Sequence, residues 1–224
     1  MLNKIKILIA FEESDEVRGR FDKMGFDAWS CDLQENRNPK AKHYKGNVLD
    51  IINDNWNAII AFPPCTHLAV SGSQWFEQKK KDGRQQEGID FFLLIAKLKI
   101  EHIAIENPVG IMSKIYKPPT QIIQPYYFGD KAQKKTCLWL KNLPKLFHNA
   151  VPNLFNDVIT HTEKGEFFEW IDKKTGKIKR QPLWYKEARN LKPNERSKVR
   201  SKTFPGIAQA MSNQWGNYLI EKYI

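Results

Sequence analysis

Asn57-Ala58-Ile59-Ile60-Ala61-Phe62-Pro63-Pro64-Cys65 decides how this chain reads. The apolar run without polar alternation predicts a strand buried on both faces, and the two prolines stop it, having no amide hydrogen for a ladder. Downstream, Ile89, Phe92, Leu93 and Ala96 share one face of a helix predicted over 84–97. His102-Ile103-Ala104-Ile105 is then a second buried strand, ending at Glu106-Asn107-Pro108. Strand, helix, strand is the unit of a parallel sheet. The same alternation continues outward. Ile5 to Ala10 predicts a strand, and Ser14 is placed to cap a helix carrying Val17, Phe21 and Met24, with Gly25 at its stop. Phe26 to Cys31 and Thr136 to Leu140 predict further strands. The fold class expected is α/β with a mostly parallel sheet.

The chain has 224 residues, 41% of them hydrophobic and 12% aromatic, enough for one sizeable core and too apolar for a disordered chain. No apolar run approaches the roughly 18–20 residues a membrane span needs, and Met1-Leu2-Asn3-Lys4 leads straight into a strand pattern, so no membrane association and no leader are expected. Cys31, Cys65 and Cys137 form no C-x-x-C, which fits a reduced, cytoplasmic setting. His43, His67, His102, His148 and His161 form no H-x-x-x-H or Cys/His cluster, so no metal is expected.

Lys and Arg number 36 against 25 Asp and Glu, a net charge of +11. Between Trp170 and Lys202 stand twelve basic and three acidic residues, so +9 of that charge lies in one segment. Clustered cations with Trp170, Trp184 and Tyr185 among them read as a nucleic-acid contact, although a solvated basic loop has the same composition. Phe167 to Ile171, a turn containing Gly176, and Ile178 predict a hairpin here. Lys173, Lys174, Lys177, Lys179 and Arg180 are the candidate phosphate contacts. After Pro205 a helical pattern returns through Ile207, Ala210, Met211, Trp215 and Leu219. The expected organisation is a core over 1–143, a basic insertion over 144–203 and a C-terminal helix over 204–224 that rejoins the core.

In open parallel sheets the chemistry gathers at the carboxyl ends of the strands. Four such ends carry polar or reactive groups: Phe11-Glu12-Glu13-Ser14, Cys31-Asp32, Phe62-Pro63-Pro64-Cys65 and Glu106-Asn107-Pro108. Cys65, set by two prolines, could attack an electrophilic carbon; a lone cysteine is also a common small buried hydrophobe. Cys31 and Cys137 lie in apolar strand patterns and are expected to pack.

Phe62-Pro63-Pro64-Cys65-Thr66-His67-Leu68-Ala69-Val70-Ser71-Gly72 resembles the nucleophile motif of DNA cytosine-5 methyltransferases, in which Pro-Cys is followed at this spacing by Ser-Gly. Glu106-Asn107-Pro108 is similar to that family's Glu-Asn-Val, and Gln214-Trp215-Gly216-Asn217 to its terminal Gln-x-Gly-Asn. Phe128-Gly129 followed by Lys134-Lys135-Thr136 resembles its Phe/Tyr-Gly and Gln-x-Arg-x-Arg block, with Lys134 at the first arginine. The likeness covers most of residues 4–140 and the last twenty, and as a whole the chain resembles small phage-encoded members of that family. It implies a Rossmann-like methyltransferase fold, S-adenosylmethionine as cofactor, duplex DNA as partner, a monomer, and the cytoplasm of a bacterial host.

The resemblance also implies roles. Cys65 adds to cytosine C6, Glu106 holds or protonates N3, and Lys134 joins the catalytic set. Phe11, Glu12, Ser14, Asp32, Asn47, Phe62, Pro63 and Asn217 hold the cofactor: Asp32 accepts from the ribose hydroxyls, and Asn47, in Gly46-Asn47-Val48, meets the adenine amine. Ser71 lies in a Ser71-Gly72-Ser73 loop that, with Trp75-Phe76, closes over DNA. The family's glycine-rich Phe-x-Gly-x-Gly is here Phe11-Glu12-Glu13-Ser14-Asp15, without glycine, and the two glutamates are expected to face the cofactor's cationic groups. That departure leaves two alternatives open: a cytosine-C5 enzyme with another one-carbon donor, and a catalytically idle DNA-binding relative.

Overall fold

The computed structural model describes residues 5–151 and 159–224. In chain order these form β1 (Lys6–Ala10), α1 (Arg18–Lys23), β2 (Asp27–Asp32), β3 (His43–Lys45), β4 (Ala58–Ala61), α2 (Phe76–Lys81) and α3 (Arg84–Ala96). They continue with β5 (His102–Pro108), α4 (Met112–Ile115), β6 (Gln121–Ile123), β7 (Thr136–Lys141), β8 (Phe167–Ile171) and β9 (Ile178–Pro182). Helices α5 (Leu183–Ala188), α6 (Pro193–Ser201), α7 (Pro205–Ala210) and α8 (Gly216–Tyr223) complete the chain. None of the described helices is long and apolar enough to cross a membrane.

Seven strands make one sheet in the order β3-β2-β1-β4-β5-β7-β6. Its neighbours pair in parallel except β7, which runs antiparallel to both β5 and β6. The chain winds outward from β1 to β3 and then crosses back to β4, so the order reverses between β1 and β4, where open sheets of this Rossmann-like kind present ligand sites. The strands are apolar because both faces are covered: Ile7, Leu8, Ile59, Ile103 and Leu138 are essentially inaccessible to solvent. Phe92 from α3 meets Trp139 of β7 edge-to-face at 5.1 Å. Burying a side chain of that size stabilises the fold by about 1.5–3 kcal/mol.

Helix α1 begins at Arg18, four residues beyond Ser14, and its cap differs from the one expected. The Glu12 carboxylate accepts the amides of Val17 at 2.7 Å and Arg18 at 3.0 Å, while the Ser14 hydroxyl donates to Glu12 at 3.2 Å. A carboxylate satisfies two first-turn amides at once and meets the positive end of the helix, which one hydroxyl cannot do. The terminal helix has its own irregularity. Ile207, Met211, Trp215 and Leu219 are all buried at strict four-residue intervals, which an α-helix of 3.6 residues per turn would carry off one face. A π-turn over Met211–Trp215 absorbs the difference.

The chain divides into two compact units. One comprises residues 1–123, 135–147 and 208–224; the other comprises 124–134 and 148–207. These boundaries differ from the expected 144–203 because the turn at Pro125–Phe128 belongs with the second unit: Tyr126 accepts the Thr162 amide through its carbonyl. The connector expected through Pro152 and Asp157 falls on residues outside those described. Within the second unit β8 and β9 form the hairpin, and Lys186 of α5 lies 3.4 Å over the Phe168 ring. The sequence spacing concealed one histidine pair. His148 Nδ1 and His161 Nε2 are 2.9 Å apart, both rings stacked on Tyr127. Among the described residues no three His, Cys, Asp or Glu side chains converge to hold a metal ion.

Candidate active site

The strand register fixes a row of side chains along the carboxyl edge of the sheet. Ala10 of β1 is level with Cys31 of β2 and Ala61 of β4, and Ala61 is level with Ile105 of β5. The next residue of each strand or strand end therefore stands abreast of the others: Asp32, Phe11, Phe62 and Glu106. Adjacent strands lie about 4.8 Å apart, so the row spans roughly 15 Å, with Phe62 and Glu106 as neighbours. Phe11 is half-buried and meets Phe91 of α3 edge-to-face at 5.4 Å.

Cys65 lies three residues beyond Phe62, in a loop held from several sides through its carbonyls. Asn107 of β5 donates its side-chain amide to the Pro63 carbonyl at 3.0 Å, in a buried position. The Cys65 carbonyl accepts the amides of Leu68 and Ala69. Lys79 of α2, itself 7% exposed, donates Nζ to the Thr66 carbonyl at 2.6 Å. Gln85 of α3 reaches the His67 carbonyl at 3.3 Å, and the Ile111 amide bonds the Leu68 carbonyl at 3.0 Å. Residues 68–70 and 109–111 thus run side by side, with the Val70 amide on the Val109 carbonyl. A Cβ at Gly110 would sit 2.3 Å from the Leu68 oxygen, so only glycine permits this approach. The loop carrying Cys65 and the strand end carrying Glu106 are consequently stitched together.

Of the three cysteines, Cys31 and Cys137 are buried, and burial pushes each thiol up to about 11. Neither is a nucleophile near neutral pH. Cys65 is half-buried, and so is Glu106 on the neighbouring strand end. Pro63 is buried and Pro64 exposed, which makes the diproline a rigid arm reaching from the core toward solvent. His67 is half-buried, its Nδ1 has no hydrogen-bond partner among the described residues, and burial followed by the Lys79 charge holds its ring below the ordinary imidazole range. Ser71 and Trp75 are exposed along a short 3₁₀ turn, Val70–Trp75.

The first loop uses its acids inward. Glu12 is 5% exposed, and burial lifts its carboxyl to about 7 despite the Val17 and Arg18 amides that favour the charge. This side chain caps α1, so the expectation that it faces a cofactor is corrected; Ser14 supports it. Asp15 takes a left-handed φ of 64°, a conformation that favours glycine. It is held there by ion pairing to the buried Arg18 and by Asn38 at 2.8 Å, so a side-chain network sustains a backbone shape that glycine adopts freely. Glu13 binds Arg37 at 2.6 Å, tying the first loop to the loop after β2.

Asp32 ends β2 half-buried, one oxygen accepting the Gln34 amide at 2.9 Å. Leu33 beside it is 75% exposed, an aliphatic surface next to a carboxylate that the sequence reading passed over. Asn47 is exposed and spends its amide oxygen on the Leu49 amide at 3.0 Å, capping the turn Val48–Asp50. One expected participant lies elsewhere. Asn217 is exposed on α8 between Gly216, which abuts Met24 and Phe26 before β2, and Tyr218, whose ring meets His102 at the start of β5. It therefore sits at the amino-terminal end of the sheet, opposite the row. Lys134 belongs to the second unit, where its Nζ donates to the Lys202 carbonyl at 3.1 Å and its amide to Gln124. Lys173, Lys174, Lys177, Lys179 and Arg180 are exposed on or beside the hairpin of that unit.

A seven-stranded sheet with its seventh strand reversed, and with polar groups gathered at the carboxyl ends about the β1/β4 switch, defines the Rossmann-like methyltransferase fold. The sequence matches no family profile and no curated protein. Among solved structures, the Entamoeba histolytica methyltransferase EhMeth is similar over 96% of this chain and 98% of that chain, with a TM-score of 0.51 at 11% identity. At that identity the likeness is one of fold.

Proposed function

We propose that the protein is a DNA (cytosine-5)-methyltransferase that acts on a flipped-out cytosine through a covalent Cys65 intermediate. One observation carries this reading: Asn107 binds the Pro63 carbonyl, and residues 68–70 lie against 109–111, so the thiol loop and Glu106 are held on neighbouring strand ends. Such an arrangement suits groups that must meet one planar ring. Cys65, as thiolate, adds to C6 and pushes electron density to C5, while Glu106 bonds N3 and takes up the charge that addition drives there. Loss of the C5 proton to solvent then returns the electron pair that expels Cys65.

The residues at the carboxyl edge fit S-adenosylmethionine. Asp32 retains acceptor capacity beyond its bond to Gln34, Leu33 offers an exposed aliphatic face for a purine, and Phe11 lies one strand over. When bound, that cofactor supplies the methyl electrophile for C5. Asp15 keeps the glycine-like turn of the first loop, which favours this donor over the other one-carbon donors left open above. A target base inside a duplex must be flipped out, at a cost of a few kcal/mol in stacking.

The decisive experiment incubates the chain with a duplex containing 5-fluorocytosine and S-adenosylmethionine, then digests it for mass analysis. A methylated pyrimidine adduct on Cys65, absent without the methyl donor and absent in Cys65→Ser, is expected. Glu106→Gln should lower kcat by roughly 10²–10⁴-fold with the fold intact. DNA binding with no adduct would instead mark an idle binder.

A further inference from the structure

The β8–β9 hairpin ends in an apolar pair without cover. Ile171 and Ile178 are directly opposite in register, and they are 68% and 72% exposed. The other face of the hairpin is occupied: Phe168 stacks on Trp170 at 5.9 Å, and Lys186 sits over Phe168. The connecting turn is firmly built. Asp172 Oδ1 accepts the amides of Lys174 and Thr175 and the Thr175 hydroxyl, its second oxygen pairs with Lys179, and Gly176 supplies the left-handed φ of 66°. Exposed cations surround the pair: Lys173, Lys174 and Lys177 in the turn, Lys179 and Arg180 along β9.

Resting on the proposed function, we infer that Ile171 and Ile178 form a wedge that enters the base stack of duplex DNA while the surrounding lysines hold the phosphates. A two-stranded ribbon has the width of a DNA groove, and apolar side chains inserted at a base step partly unstack it. β-Branched side chains suit the task because they are stiff about χ1 and lose little freedom on insertion. Charge complementarity selects the partner: five cations within eight residues flank only two aliphatic side chains, and the longer stretch 170–202 around them holds +9 of the protein's net +11. Partial unstacking of a duplex lowers the cost of extruding a base from it.

The test titrates the full chain against a mixed-sequence duplex carrying 2-aminopurine, reading affinity, fluorescence and salt dependence. The native chain should bind and raise the fluorescence as bases unstack. Ile171→Thr with Ile178→Thr, which keeps β-branching, should weaken binding about tenfold and abolish the rise. Its slope of log affinity against log salt should stay unchanged, because no phosphate contact is lost. The corresponding double valine variant should retain both signals. Native binding and unstacking in the threonine variant overturn the wedge and leave the methyltransferase reading standing, whereas a native chain that ignores duplex DNA removes that reading itself. Preference of the native chain for phosphatidylserine vesicles over the duplex, or a self-associated native chain made monomeric by the threonine pair, would also overturn the wedge.

Discussion

The side-chain amide of Asn107 donates to the main-chain carbonyl of Pro63 across 3.0 Å of buried space, joining two strand ends that are 44 residues apart in sequence. Asn107→Ala would leave that carbonyl unsatisfied and is expected to cost about 1–3 kcal/mol in urea unfolding. On the proposed function, its effect on turnover should exceed its effect on DNA binding, because it releases the loop that carries Cys65. Equal losses in kcat and in DNA affinity would argue that Asn107 serves stability alone.

The three thiols should separate cleanly in an alkylation time course read by mass spectrometry. Cys65 is expected to label with iodoacetamide in the native protein at pH 8, while Cys31 and Cys137, buried and pushed up to about 11, label only on unfolding. Rapid labelling of Cys137 would contradict the β5–β7 packing described above.

Glu12 predicts a pH dependence of stability. Its folded carboxyl titrates at about 7 against an ordinary 4.5, so between those values the folded state holds a proton that the unfolded chain has released. Stability from this group is complete below about pH 4.5 and is lost as pH rises through 7, a total of about 3 kcal/mol. Urea midpoints at pH 5 and pH 8 should therefore differ less in Glu12→Gln than in the native chain.

Much of this was legible before any coordinates. Ile5–Ala10, Ala58–Ala61, His102–Ile105 and Thr136–Leu140 announced β1, β4, β5 and β7 because a central strand must be apolar on both faces, and the ends of the first three placed Phe11, Phe62 and Glu106 in one row. The strands β3 and β6, three residues each, are too short for any periodicity to register. Ser14 misled because capping rules look for the acceptor next to the helix, whereas Glu12 folds back across five residues to reach Val17. Lys79 carried no signal: in Lys79-Lys80-Lys81 nothing marks the first ammonium as the one turned inward onto Thr66. Gln-Trp-Gly-Asn misled in another way. Its Gln214 bonds the main chain of Phe147 at both ends of its amide, and its Trp215 reaches the Pro144 carbonyl, so the motif secures the last helix instead of lining the row.

That hidden lysine is itself testable. Lys79→Met keeps the aliphatic stem and deletes the donor to Thr66, so turnover should fall about tenfold or more while thermal stability changes by less than about 1.5 kcal/mol. Lys79→Arg, whose planar fork cannot copy a compact ammonium aimed at one carbonyl, should not restore it; full activity in Lys79→Met would assign the lysine to packing.

Gly110 offers the strictest geometric check. Gly110→Ala places a methyl group 2.3 Å from the Leu68 oxygen, and separating the two segments should cost about 1–3 kcal/mol, measured by urea unfolding. An alanine variant of native stability would mean the two segments are not apposed.

The carboxylate folded beneath α1 also decides what the first loop can accept. In dinucleotide-binding relatives of this architecture, the amides at that helix start grip a pyrophosphate. Here the Val17 and Arg18 amides are already taken by the Glu12 carboxyl, so the pyrophosphate of a nicotinamide or flavin dinucleotide would find those two donors occupied. On the proposed function, that loop is left to a nucleoside that brings no phosphate.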